Sequence, residues 1–298
     1  MILTIFSCPK PFRGHVDVTQ RNAIRSWLLL DPRPDVILLG DDEGVAEAAR
    51  DLGVRHIPEV ARNEFGTPLM SALFEEAERA AASPLMCYVN ADIIFMQDLM
   101  EGIERVEAEK PGALMVGRRW NVDINEPLRF DKGWQKSLAA LVAGKGKLYP
   151  YYAIDYFVFP RGGLGALPPF AIGRPAWDNW VIYRACATGM AVVDMTKQVT
   201  VVHQNHDYSH HPEGWAGAMK GEESRRNIAL AGEIAHVHSL LDAGYCLTRK
   251  GVRRRLPPYH VPFYLYKHLV VLSRTQRGLR PVVRLIKALG DRMSHALI

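Results

Sequence analysis

Three short stretches of the 298-residue chain carry side chains that can do chemistry together. In Leu85-Met86-Cys87-Tyr88-Val89-Asn90-Ala91-Asp92, a buried-looking apolar run ends on an amide and a carboxylate two residues apart, and Ile93, Ile94 and Phe95 follow at once. In Trp177-Asp178-Asn179-Trp180, an acid stands at the start of a helix-like stretch. In Val199-Thr200-Val201-Val202-His203, a strand-like run ends on an imidazole. Mg²⁺ and Mn²⁺ take oxygen ligands, Mn²⁺ also accepts imidazole, and both leave positions open for phosphate. Asp92, Asp178 and His203 on one rim would suit a cation that neutralises a diphosphate. Each stretch also has an ordinary reading: Asn90-Ala91-Asp92 as a turn, Asp178 as a helix N-terminal cap.

The elements needed to bring these residues together are legible in the first ninety residues. Ile2–Phe6 reads as a strand. Ala23, Ile24, Trp27 and Leu28 share one face of a helix over about 19–30. Residues 35–40 form a second apolar strand, followed by the turn Gly40–Gly44. A helix over Val45–Leu52 stops at Gly53. A weaker strand lies near 54–60, a loop at 63–68, a helix over Leu69–Ala82, and then the strand that ends at Asn90. This alternation predicts an α/β fold, a Rossmann-type, mostly parallel sheet covered by helices. Ligands of such sheets bind outside the carboxyl ends of the strands. The loops 7–12, 40–44, 63–68 and 90–92 would therefore share one rim. Neither GxxxxGK[ST] nor a helix-opening GxGxxG occurs, so a P-loop and the usual dinucleotide fingerprint are excluded.

Beyond Asp98 the pattern loosens. We expect a strand within 113–124, a helix over Lys132–Ala143, a strand over 153–160 with Asp155 inside it, a helix over Asp178–Ala187 stopped by Gly189, and a last strand within 197–206. An acid inside an apolar strand faces a cleft or pairs with an Arg, since an isolated buried carboxylate is costly. Residues 161–180 are too rich in Gly and Pro for regular structure. The histidines at 203, 206, 210 and 211 also allow a zinc-hydrolase reading, but 199–203 reads as strand and would not align them.

Composition is that of a globular protein, 48% hydrophobic and 23% charged. Four scattered cysteines without CxxC spacing suit a reducing compartment. The apolar start reads as a first strand and not as a leader. These features lead us to expect a cytoplasmic protein. From Arg249 onward there are twelve Lys or Arg against the single acid Asp291, about +11, which leaves about −6 on residues 1–248 given the net +5. We therefore divide the chain into a body, 1–248, and a basic tail, 249–298. Leu256–Leu272 is apolar and aromatic but carries His260, Lys267, His268 and early prolines, which argues against a spanning helix. Val283, Ile286 and Leu289 recur at helical spacing among basic residues, as in interfacial helices. The expected partner of the tail is an anionic membrane surface, reached peripherally from the inner face. No nucleic-acid motif accompanies the charge.

The order and spacing of these stretches resemble the GT-A class of nucleotide-sugar glycosyltransferases, family 2-like members included. The resemblance covers about residues 1–205. Asn90-Ala91-Asp92 stands at the position of the DxD motif, with Asn for its first Asp. Asp178 stands at the base position of a pattern like EDxDLxxRxxxxG, with Trp177 for the Glu and with Arg184 and Gly189 at the Arg and Gly. His203 stands at the terminal His.

The resemblance implies a metal-dependent sugar transfer from a nucleoside-diphosphate sugar to a glycan or lipid-linked acceptor, with Mn²⁺ or Mg²⁺ held by Asp92 and His203. Asp178 would be the base of an inverting reaction, or would bind sugar hydroxyls if the acceptor lies differently. Asn90 would lie at the donor, Asp41 or Asp42 at the nucleoside, and Ser7, Lys10, Asp155 and Asn179 among the substrate-binding residues. Glycines 214, 217 and 221 would let the loop after His203 close over the donor. Two rival classes share the fold. A nucleotidyltransferase for nucleotide-sugars usually has a Gly-rich first loop, whereas residues 7–15 contain one Gly. A non-catalytic sugar- or membrane-binding protein would bind without turnover.

Overall fold

The computed structural model describes residues 3–205, 219–232 and 238–255, with residues 269, 277–279 and 281–286 beyond them. The alternation seen in the sequence becomes β1 (Leu3–Ser7), α1 (Gly14–Leu28), β2 (Asp35–Leu39), α2 (Val45–Leu52), β3 (Arg55–Ile57), α3 (Met70–Ala80) and β4 (Leu85–Val89). Strands β3, β2, β1 and β4 lie side by side and parallel. They are mostly apolar because both faces are covered, as in parallel sheets, except for the edge strand β3, Arg55-His56-Ile57, which is exposed to half-buried. Leu3, Ile5, Val36, Leu38, Leu85 and Cys87 face a core shared with Ile24 and Trp27 of α1 and Val45 and Ala49 of α2. Phe6, Ile37, Leu39, Met86 and Tyr88 face the opposite core, with Met70, Leu73, Phe74 and Ala77 of α3.

The sequence after Asp98 is more regular than its pattern suggests. It contributes α4 (Asp98–Glu109), β6 (Leu114–Val116), β7 (Arg119–Val122), α5 (Trp134–Lys145), β8 (Lys147–Leu148), β9 (Tyr156–Pro160), α6 (Trp177–Ala187), β10 (Val192–Asp194), β11 (Val201–Gln204), α7 (Glu222–Leu230), β12 (Tyr245–Thr248) and β13 (Gly251–Arg254). With β5 (Ile93–Ile94), these build two sheets. The large one has the order β13-β12-β10-β6-β9-β4-β1-β2-β3, and the small one β5-β11-β7-β8. The large sheet is mostly parallel, and β9 runs antiparallel between β4 and β6.

Three expectations need correction. The single strand expected within 113–124 is two strands, one in each sheet, broken at Gly117. A Cβ there would lie 2.5 Å from the Tyr156 hydroxyl, so only glycine fits the crossing. Asp155 is not inside a strand but directly precedes β9. Because β9 is antiparallel, its start lies at the rim where β4 ends, and Val89 pairs with Tyr156. The boundary expected at residue 248 falls inside the β12–β13 hairpin, which is hydrogen-bonded to itself and joined to β10. The body therefore reaches at least Arg254. Arg255, one residue on, pairs with Asp194 at the end of β10.

Candidate active site

The meeting of the two sheets explains how Asp92 and His203, distant in sequence, become neighbours. The chain turns at Asn90–Asp92 and enters β5, which pairs antiparallel with β11 so that Ile93 lies opposite His203. Gln204, fully buried, fixes this register. Its side-chain N–H donates to the backbone oxygens of Asp92 at 3.1 Å and Thr19 at 2.8 Å. Its Oε1 accepts from Asn22 at 3.0 Å. On the other side of β5, the Trp27 indole N–H donates to the Ile93 carbonyl at 2.8 Å. The apolar residues behind Asp92 thus serve as a seam between sheets. The outcome is a carboxylate oxygen of Asp92 3.6 Å from Nε2 of His203.

One oxygen and one nitrogen donor at this separation fit a shared Mn²⁺ or Mg²⁺, an ion commonly held by one or two protein groups with phosphate completing the shell. Among the described residues, no group of three or more His, Cys, Asp and Glu gathers into an all-protein metal cage. The histidines at 206, 210 and 211, and the glycines at 214 and 217, lie outside the described residues.

Asn90 sits two residues away in a continuous polar chain. The Tyr88 hydroxyl donates to Asn90 Oδ1 at 3.0 Å, and Asn90 Nδ2 donates to Asp155 Oδ1 at 2.7 Å. The Asn90 backbone N–H also donates to the Asp155 carbonyl at 2.9 Å. Asp155, at the rim-side start of β9, is buried and pairs with an arginine, one of the two placements expected of it. The partner is Arg119, whose Nη1 donates to Oδ1. Arg119 also donates from Nε to Asn121 at 3.1 Å and stacks 4.4 Å from the Tyr149 ring centroid. Sequence reasoning missed Arg119. The only signal was a pair of arginines after Gly117, inside a stretch read as one strand.

Asp178 is the second residue of α6. The cap position falls on Ala176, so the expected capping role does not apply. Ala176 has φ 83°, the one positive φ outside glycine among the described residues. This left-handed turn sends Trp177 into the core, where its ring meets Tyr88 edge-on at 5.1 Å and Phe157 at 5.6 Å. Trp177 thus locks the start of α6 onto β4 and β9. Asp178 itself is half-buried. Burial pushes its carboxyl up to about 7; the Asn179 backbone N–H opposes the rise, and the charge of Asp155 adds to it. A carboxylate poised near neutrality is what a general base needs.

The other expected residues are less central. Ser7 ends β1, but it is fully buried, and its Oγ has no hydrogen-bond partner among the described residues. The backbone of Lys10 is clamped by Gln20, which accepts from its N–H at 2.7 Å and donates to its carbonyl at 2.9 Å. Asp41 and Asp42 follow β2 and pair with Arg62, Asp42 at 3.4 Å. Asn179 donates to the carbonyls of Tyr152 at 3.1 Å and His238 at 2.6 Å, so its amide ties loops together. A separate cleft between the 63–69 loop and α7, lined by Asn63, Leu69, Ala171, Glu223 and Asn227, includes none of the expected site residues.

No protein-family model matches the chain, and no curated protein matches it. Solved structures do resemble it. S. aureus TarS, residues 1–349, is 9% identical with a TM-score of 0.46, over 68% of this chain and 60% of that one. Glucosyl-3-phosphoglycerate synthase from Mycobacterium tuberculosis, in complex with Mg²⁺ and uridine-diphosphate, is 14% identical with a TM-score of 0.45, over 80% of this chain and 79% of that one. The mannosyltransferase PcManGT from Pyrobaculum calidifontis, in complex with GDP-Man and Mn²⁺, is 13% identical with a TM-score of 0.44, over 70% and 58%. The chain thus spans less than two thirds of TarS 1–349 and of PcManGT.

Proposed function

We propose that the chain is a GT-A-class glycosyltransferase that moves a sugar from a nucleoside-diphosphate sugar to a hydroxyl of a glycan or lipid-linked acceptor, with inversion at the anomeric carbon. The observation that carries this reading is the juxtaposition of Asp92 and His203, 3.6 Å apart, on the rim that also bears Asn90 and Asp155. Asp92 and His203 would hold Mn²⁺ or Mg²⁺, which when bound neutralises charge on a diphosphate leaving group. Asp178 takes the proton of the acceptor hydroxyl as its oxygen attacks the anomeric carbon. The bond from that carbon to the diphosphate oxygen breaks, and the electron pair leaves with the nucleoside diphosphate. The upward displacement of the Asp178 carboxyl to about 7 supports its use as a base near neutral pH.

The test is a thermal-shift panel of UDP and GDP with and without Mn²⁺. Binding at a hundred times Kd stabilises by about 2.7 kcal/mol, and for a chain of this size that raises Tm by roughly 4 °C. The shift should require Mn²⁺ and vanish in Asp92→Ala, whose unliganded Tm stays near that of the wild type. An undiminished shift in the variant would remove Asp92 from the metal site. Products separate the rival classes: a transferase releases nucleoside diphosphate, a nucleotidyltransferase releases pyrophosphate, and a binding protein releases neither.

A further inference from the structure

Asp155 is more deeply buried than a rim residue with only a structural use needs to be. Its side chain is 7% exposed, yet only one of its oxygens is engaged. Oδ1 receives both Asn90 Nδ2 and Arg119 Nη1, whereas Oδ2 is buried and accepts no hydrogen bond among the described residues. A carboxylate oxygen left bare in a desolvated place is costly unless something donates to it. A pair kept for stability alone would use the guanidinium fork on both oxygens. Here Arg119 turns its Nε to Asn121 and its face to Tyr149, so the fork cannot close on Asp155. The arrangement orients Oδ2 while leaving it without a donor.

The surroundings suggest what this oxygen receives. Asp155 is hydrogen-bonded to Asn90, two residues from Asp92, and its charge is felt at Asp178. A group touching Asp155 is therefore close to both the metal pair and the base, as a transferred sugar would be. Tyrosines of the segment before Asp155 form an aromatic cluster, with Tyr149 and Tyr152 ring centroids 6.4 Å apart and Tyr152 52% exposed. An apolar ring face beside a carboxylate acceptor suits a pyranose, whose C–H face packs on aromatic rings while its hydroxyls donate.

We propose that Oδ2 of Asp155 accepts a hydrogen bond from a hydroxyl of the transferred sugar, held in position by Asn90 and Arg119. Position 90 can then be neutral because the carboxylate of this part of the site stands at 155. The assignment rests on the glycosyltransferase reading and adds the residue that recognises the sugar.

Calorimetric titration with Mn²⁺ present tests it, using UDP, GDP, UDP-glucose, UDP-N-acetylglucosamine and GDP-mannose as probes. The wild type should bind at least one nucleotide-sugar about tenfold more tightly than the matching nucleoside diphosphate. Asp155→Asn should lose that increment while its affinity for the bare diphosphate stays within about twofold. The Asp155→Asn/Arg119→Gln double variant removes both charges together and should behave in the same way, which covers the case where Arg119 without its partner unfolds the single variant. An increment that survives in either folded variant overturns the assignment. So does a wild type that binds UDP or GDP but gains nothing from any sugar. A wild type that binds no nucleoside diphosphate at all instead overturns the glycosyltransferase reading on which this one rests.

Discussion

At the scale of single residues, the acidic groups of the rim have different tasks because their surroundings differ. Asp178 is held near neutrality chiefly by burial, so its carboxylate form becomes available as pH rises through about 7. Transfer rate should rise across that range and level off above it. Asp178→Asn should keep donor binding and lose transfer by roughly 10²–10⁴-fold. The same shift has a stability consequence. A carboxyl whose folded pKa lies above its unfolded value stabilises the protein at low pH, and that contribution is lost as pH rises from about 4 through about 7. Unfolding followed from pH 4 to 8 should show Asp178→Asn gaining on the wild type across this window; parallel curves would mean the carboxyl is not displaced. Asn90 poses the opposite case. An aspartate there would set a carboxylate oxygen where the amide nitrogen now lies, 2.7 Å from Asp155 Oδ1. Two carboxylates so close cannot both ionise freely. Asn90→Asp should therefore lower Tm at neutral pH, by less as pH falls, and should not strengthen Mn²⁺-dependent binding. Tighter binding in this variant would show that the charge belongs at position 90.

At the scale of elements, the site depends on how α6 begins. Ala176 holds φ 83° although it has a Cβ, a conformation costing about 1–2 kcal/mol. The surroundings maintain it: Ala176 is 6% exposed, and Trp177 beside it is wedged against Tyr88 and Phe157. A β-branched residue tolerates this region far less well than alanine. Ala176→Val should destabilise by about 1–3 kcal/mol and, by moving the first turn of α6, should reduce kcat more than donor affinity. Ala176→Gly should leave activity close to wild type. Equal activity in the two variants would mean that the turn does not set the position of Asp178.

At the scale of the whole molecule, the nine-stranded sheet reaches across the charge step between body and tail. Arg249, Lys250, Arg253 and Arg254 belong to the β12–β13 hairpin, and Arg255 pairs with the largely buried Asp194. A chain ending at Thr248 loses β13 and leaves Asp194 without that partner. Removing one member of a buried pair costs roughly 3–5 kcal/mol, so its Tm should fall by roughly 5–8 °C. A chain ending at Leu256 should melt like the full protein. That second truncation is the one suited to testing the tail. No helix among the described residues is long and apolar enough to cross a membrane. Residues 281–286 are helical, with Val283 and Ile286 half-buried and Val282 and Leu285 exposed, while Leu289 and nearly all of 256–280 lie outside the described residues. Full-length protein is expected to float with anionic vesicles and not with neutral ones, since each Lys or Arg near an anionic leaflet adds about 1 kcal/mol. The chain ending at Leu256 should not float. Equal behaviour of the two would remove the membrane from the tail's role.

The sequence by itself determined the elements whose information is local. α2 begins and ends where its periodicity and Gly53 indicate, β4 ends at the residue before Asn90, and α6 begins beside Asp178. Hydrophobic period and stop residues are read over a few positions, so they survive without tertiary context. The residues able to do chemistry were also visible, because a carboxylate or imidazole at the end of an apolar run is conspicuous in one dimension. What only the tertiary structure decided is which of them meet. The pairing of β5 with β11 sets Asp92 against His203, and the antiparallel insertion of β9 brings Asp155 to Asn90. The break at Gly117 sends β7 into the second sheet, and Arg119 then reaches Asp155. Strand direction and partner are set by which faces can be buried together across a hundred residues of chain, and nothing in the local pattern around Arg119, Asp155 or His203 records that choice.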